Sequence, residues 1–158
     1  MNGILYLLIL LAALGCGAMS GVFFAFSAFV MKALGRLPAE QGVGAMQAIN
    51  VAAVGPAFMA ALFGTAAACA ALVVWSFVAW DGRFAPYLIA GGALYLVGVI
   101  LLTIAYHVPL NDALASVDPR DAGSLWKRYL SNWTMWNHVR AASSLAAATA
   151  FILALRAG

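Results

Sequence analysis

The segment Trp133-Thr134-Met135-Trp136-Asn137-His138-Val139-Arg140 puts two indoles, an amide, an imidazole and a guanidinium at the start of an otherwise greasy helix. His107, Asn111 and Asp112 form a second polar group around Pro109, and Asn50 stands shortly before Pro56. Amides and a guanidinium donate hydrogen bonds to an oxygen that becomes negative, and they do so most effectively where little water competes. An imidazole titrates near neutrality and can remove a proton. Tryptophans such as Trp133 and Trp136 offer flat walls to an aromatic ligand. Trp133, Asn137 and Arg140 are related by i, i+4 and i+7, hence share one helix face, whereas His138 is turned about 100° from Asn137.

Each residue also has a plainer use. Arg140 would lie about 10 Å along a helix that enters hydrocarbon at Trp133, and from there it either snorkels to the interface or faces inward and needs a partner. Asn111 and Asp112 suit a helix cap as well as a site. His107, His138 and Asp112 could meet at one end of a bundle, but no i, i+3 or i, i+4 ligand pair and no third histidine exist. Metal ligand sets are denser than this, so no metal site is expected.

The elements that must position these groups follow from composition. Of 158 residues, 66% are hydrophobic and only 8% charged, too few polar groups to cover a soluble domain. Four apolar runs, at residues 4–31, 51–80, 84–106 and 133–155, are long enough to span a bilayer. The expectation is a single all-α transmembrane domain over residues 1–158, an antiparallel four-helix bundle with short interfacial helices on one side. Leu14-Gly15-Cys16-Gly17 faintly resembles a lipoprotein cleavage site, but no Lys or Arg precedes the run, which continues past Cys16 as a full span would. Cys16 and Cys69 fall inside spans and read as buried thiols. The net charge of +3 comes from basic residues at helix ends rather than in a stripe, which argues against nucleic acid and for orientation in a membrane.

Along the chain, Gly17 and Gly21 form a small-xxx-small pair suited to close helix approach, Ser20 and Ser27 can bond back to their own helix, and the phenylalanines from Phe23 to Phe29 read as packing or lipid-facing. Residues 42–50 predict a short surface helix, and Pro56 either begins or kinks the second span. Asp81-Gly82 permits only a tight hairpin, with Trp75, Trp80 and Tyr87 as an aromatic belt. Pro109 is expected to stop the third span, and residues 124–132 to lie as a separate interfacial helix. Ala142, Ala146, Ala150 and Ala154 form a stripe that packs either inside the bundle or against a second copy of the chain. Lys32, Arg36, Arg120, Lys127 and Arg128 occupy one side against Arg83 and Arg156 on the other, which places the long connections in the cytoplasm and both termini outside, in a bacterial-type inner membrane.

Four spans bring Asn50, His107, Asn111, Asp112, Asn137, His138 and Arg140 to one end of the bundle. Here the chain resembles a known family. Met46-Gln47-Ala48-Ile49-Asn50 with Pro56, then Val108-Pro109-Leu110-Asn111-Asp112-Ala113-Leu114, then Trp133 with Trp136-Asn137-His138-Val139-Arg140, are similar to the motifs of the anthrone oxygenase-like family of small four-helix membrane proteins. The resemblance implies oxidation of an anthrone to an anthraquinone in polyketide biosynthesis, without flavin, haem or metal: a methylene proton leaves and the resulting enolate reacts directly with dioxygen. It assigns Asn50, Asn111, Asn137 and Arg140 to the enolate oxygen. The choice of His107 as base is a separate inference, with Trp133, Trp136 and Asp112 contributing to substrate binding. Two other readings stay open, a non-catalytic protein in which Arg140 grips a lipid or small hydrophobic ligand, and a structural role in which Arg140 ties freed carbonyls while Asn137 bridges helices.

Overall fold

A backbone in hydrocarbon has no water to bond, so a chain this apolar must close its hydrogen bonds within helices. The computed structural model, which describes residues 2–158, shows α1 (Gly3–Leu34), α2 (Ala39–Ala53), α3 (Pro56–Val78), α4 (Ala85–Ala115) and α5 (Gly123–Ala157). All but α2 are long and apolar enough to cross a membrane, so the chain is an all-α integral membrane protein. The four spans form a ring in which α1 packs on α3 and α5, and α4 on the same two. Asn2 caps α1 through a 2.8 Å bond from the Leu5 amide. At the α3–α4 hairpin, Asp81 accepts from the Arg83 side chain and backbone, which holds its carboxyl down at about 2. The contribution of that exposed pair is small, is present above the ordinary carboxylate range, and disappears as pH falls through about 2.

Several local expectations are revised. The second span begins at Pro56, not Val51. Gly55 is extended and Pro56, having no N–H, takes the first turn of α3, so Asn50 belongs to α2. Pro109 does not stop the third span, and Val108 stays helical with φ −60° and ψ −53°. Two π-helical stretches, Leu96–Leu101 and Thr103–His107, precede the proline, and the wider π turn accommodates a ring and a missing N–H that a regular α turn would not. Residues 124–132 are not a separate helix: α5 runs unbroken for 35 residues, about 52 Å, because no glycine or proline interrupts residues 124–156.

Close approach is made at other small residues than Gly17 and Gly21, which face open space. A Cβ at Gly15 would collide with Thr65, and one at Gly98 with Ser143. Gly15→Val is therefore expected to lower bundle stability by about 1–3 kcal/mol, and Gly17→Val to leave it unchanged, in denaturant titrations of the detergent-solubilised protein. The alanine stripe is divided as well: Ala150 and Ala154 are buried, Ala142 and Ala146 exposed. Two buried clusters result. One, centred on Ile9, Cys16, Leu72, Tyr95 and Phe151, fills the bundle, and the other joins Val43 and Met46 to Leu114, Trp126 and Tyr129 at the connecting end. The polar groups lie where the two meet.

Candidate functional site

Arg140 projects from α5 into the bundle and is only 7% exposed, so it does not snorkel. Its Nη2 donates to Asn137 Oδ1 at 2.7 Å and its Nη1 to Thr103 Oγ1 at 3.3 Å. The guanidinium carbon lies 4.4 Å from the Phe23 ring centroid and 5.2 Å from that of Trp133, two aromatic faces that partly offset its lost hydration. A guanidinium has five N–H donors. Nε–H and the second hydrogen on each Nη are left over, and no acidic side chain lines the space in front of them.

Asn137 is completely buried, and its amide is fully committed. Nδ2 donates to the Phe23 carbonyl at 2.7 Å and to Ser27 Oγ at 2.8 Å, both on α1. The Phe23 carbonyl, which also accepts from the Phe26 backbone N–H where α1 passes into the π turn Phe26–Val30, takes this outside donor as a second partner. Asn137 thus tethers α5 to α1 and orients Arg140, with no N–H to spare for a ligand. Ser20 and Ser27 are also engaged across helices: Ser20 Oγ donates to the Ala141 carbonyl at 3.1 Å, and neither hydroxyl bonds back to its own helix. Asn137→Ala is expected to cost about 1–3 kcal/mol, since it leaves a buried carbonyl and hydroxyl without their donor. A thermal unfolding midpoint equal to that of the wild type would show the tether to be unimportant.

Asn111 is arranged the opposite way. Its Oδ1 accepts from Tyr129 Oη at 2.8 Å and from Trp133 Nε1 at 3.1 Å. An indole N–H can only donate, so this contact fixes which way the amide points and leaves its NH2 for a ligand. His107 is 1% exposed and meets Trp133 edge-on, with ring centroids 5.0 Å apart. No hydrogen bond of good geometry reaches either imidazole nitrogen, an unusual state for a buried polar side chain, and the backbones of Leu102 and Trp133 are the nearest polar groups to the ring.

Arg140, Asn111 and His107 face one cavity of about 560 Å³, which Asn137 does not line. Asn50 from α2, Thr103, His107 and Asn111 from α4, and Trp133 and Arg140 from α5 supply its polar wall. Phe23, Phe26, Phe58, Met59 and Leu62 are among the apolar remainder, and the volume suits a small polycyclic ligand. Besides Asn137, three residues singled out in the sequence lie elsewhere. Asp112 is exposed on α4, Trp136 stacks on Tyr106 at 3.9 Å away from the cavity, and His138 is exposed in a separate groove beside Lys32. The two histidines are therefore on different sides of α5, and among the described residues no three His, Cys, Asp or Glu side chains converge. Thr103 and Tyr129 were not foreseen, although Thr103 stands one helical turn before His107 on the same face.

A family model described as anthrone oxygenase matches residues 56–150, more than half of the chain. The chain belongs to the anthrone oxygenase family. No curated protein and no solved structure matches it. The matched segment holds every polar residue of the cavity wall except Asn50, which α2 contributes from outside it. In this anthrone oxygenase family member, the Asn137 motif residue thus supports the guanidinium from behind, while Asn111 and Arg140 keep donors for the cavity.

Proposed function

We propose that the cavity binds a planar, apolar anthrone-type ketone from the membrane and promotes its oxidation by dioxygen. The observation that carries this is the pairing of unspent Arg140 donors with an unpartnered His107 imidazole in an apolar, aromatic-walled space. His107 takes a proton from the activated methylene, and Arg140 with the Asn111 and Asn50 amides holds the oxygen that becomes negative. The enolate is itself electron-rich, so it adds dioxygen at the former methylene carbon and picks up a proton to become a hydroperoxide. Loss of water then leaves the quinone carbonyl, so that one oxygen atom enters the product and the other departs as water. This route asks the protein for proton transfer and charge stabilisation and needs no further redox group. Trp133, Phe23 and Phe26 would hold the rings, and Trp136 is given no part because it stacks outside. The charge bias of the connections supports an orientation with this end of the bundle toward the cytoplasm.

The test is dioxygen uptake by the purified protein with an anthrone, alongside the absorbance of the quinone. One quinone per dioxygen consumed is expected, at a rate proportional to protein. Oxidation no faster than in protein-free micelles would overturn the proposal.

A second reading rests on the same unpaired charge. A buried guanidinium with no carboxylate suits the phosphate or carboxylate of a bound amphiphile, held without reaction. Phospholipid that co-purifies with the wild type but not with Arg140→Leu, together with no anthrone turnover, would favour it.

A further inference from the structure

We propose that the cavity loads sideways, from the bilayer through a window between α3 and α4, and that its ligand is an amphiphile whose polar oxygen leads and whose apolar body trails toward lipid. This rests on the reading that the cavity is the ligand site, though not on the reaction assigned to it. Outward-facing apolar residues are ordinary on a spanning helix, but Phe63 on α3 and Ile104 on α4 are 55% and 59% exposed and also line the cavity. Val54 and Val108, likewise exposed, continue the same rim. By contrast Phe77 and Val97, on the same two helices, are exposed with no cavity behind them.

The packing of the two helices explains the gap. Along Ala85–Leu101 the third span lies against α3, but from Thr103 onward the two part. The divergence coincides with the π stretch Thr103–His107. Toward the connecting loops the cavity is roofed by the second buried cluster, in which Val43, Met46, Leu114 and Tyr129 are almost wholly inaccessible. The Tyr129 and Trp133 bonds to Asn111 tie that roof to α4. A route from water through this cluster would cross an apolar layer. The window has no charged side chain at its rim, and polarity rises inward from Phe63 and Ile104 to His107 and Arg140. A molecule already dissolved in hydrocarbon can enter without leaving it, and its acceptor oxygen meets the guanidinium last.

Photolabelling of the full chain in lipid nanodiscs tests this without any need for turnover. A small aryl diazirine that partitions into the bilayer is photolysed, and adducts on Trp133 inside the cavity are compared by mass spectrometry with those on lipid-facing Phe77. Trp133 is expected to be labelled in the wild type, and a charged, water-soluble diazirine is expected to miss it. Narrowing the window with Phe63→Trp and Ile104→Trp together should lower Trp133 adducts about tenfold, a barrier of about 1.4 kcal/mol, with Phe77 unchanged. Widening it with Phe63→Ala and Ile104→Ala should raise them, which keeps the test decisive where the bulky pair perturbs folding. Trp133 labelling that ignores both pairs, or that comes equally from the aqueous reagent, overturns the window. Absent oxygenase activity with the expected labelling would remove the reaction and leave the route.

Discussion

Arg140→Leu is expected to lower anthrone turnover by about 10²–10³-fold, the usual cost of removing a donor aimed at a developing oxyanion in a water-poor site. The same change should cost little stability. A buried charge without a carboxylate partner is expensive to keep, and an apolar residue of similar bulk in its place is often neutral or stabilising. Leucine would leave Asn137 Oδ1 without its donor, a loss of about 1–3 kcal/mol that works against this gain. A folded, inactive Arg140→Leu protein is the signature of a site residue. Collapse of the fold would instead assign Arg140 to structure, and a folded variant with undiminished oxygen uptake would remove it from the chemistry. Arg140→Lys keeps the charge but not the fork that reaches Asn137 and Thr103 together, so it should recover only part of the rate.

His107→Gln should reduce the rate by about 10²–10⁴-fold, the range for loss of a positioned general base. Since no hydrogen bond of good geometry reaches either imidazole nitrogen, and the nearby Leu102 and Trp133 groups belong to helical backbone, the substitution orphans no side-chain partner, and the thermal midpoint should stay close to that of the wild type. Its particular signature is rescue by alkali. An anthrone ionises in solution as pH rises, so an enzyme that lacks only its base should regain turnover on substrate supplied as the enolate, whereas Arg140→Leu should not. A His107→Gln rate that stays low on the preformed enolate would move His107 from proton transfer to ligand packing against Trp133.

The two variants are informative because the cavity divides its labour. Arg140 and Asn111 have donors left after their protein contacts, while Asn137 has none, although all three share the same polar end. Their helix periodicity put Asn137 and Arg140 on one face, and the structure agrees. What periodicity could not show is that the Phe23 carbonyl and Ser27 hydroxyl on α1 would take up the Asn137 amide. Those partners lie more than 100 residues away in the chain, beside a local π turn of α1.

The same contrast holds for the helices. Length and hydropathy suffice for four spans, because the bilayer imposes a minimum apolar length and internal backbone bonding on any segment that crosses it. The behaviour of Pro109 was not legible, since whether a proline breaks a helix depends on whether neighbouring turns can widen around it. Trp136, chosen as an aromatic wall, and Asp112, chosen because it shares the polar end of the bundle, lie outside the cavity: one stacks on Tyr106 and the other is exposed. A helix presents adjacent residues about 100° apart, so closeness along the chain selects no common face.

By itself the sequence determined a membrane-embedded, all-helical chain, the end of the bundle that carries its polar chemistry, and the motifs that mark the anthrone oxygenase family. Those properties are set by composition and by spacing within single helices. Only the tertiary structure decided which donors remain unspent, that the two histidines part company, and that exposed Phe63 of α3 and Ile104 of α4 also line the cavity. Each of these depends on partners supplied by other helices, and hydrogen-bond saturation and packing gaps are properties of the assembled bundle.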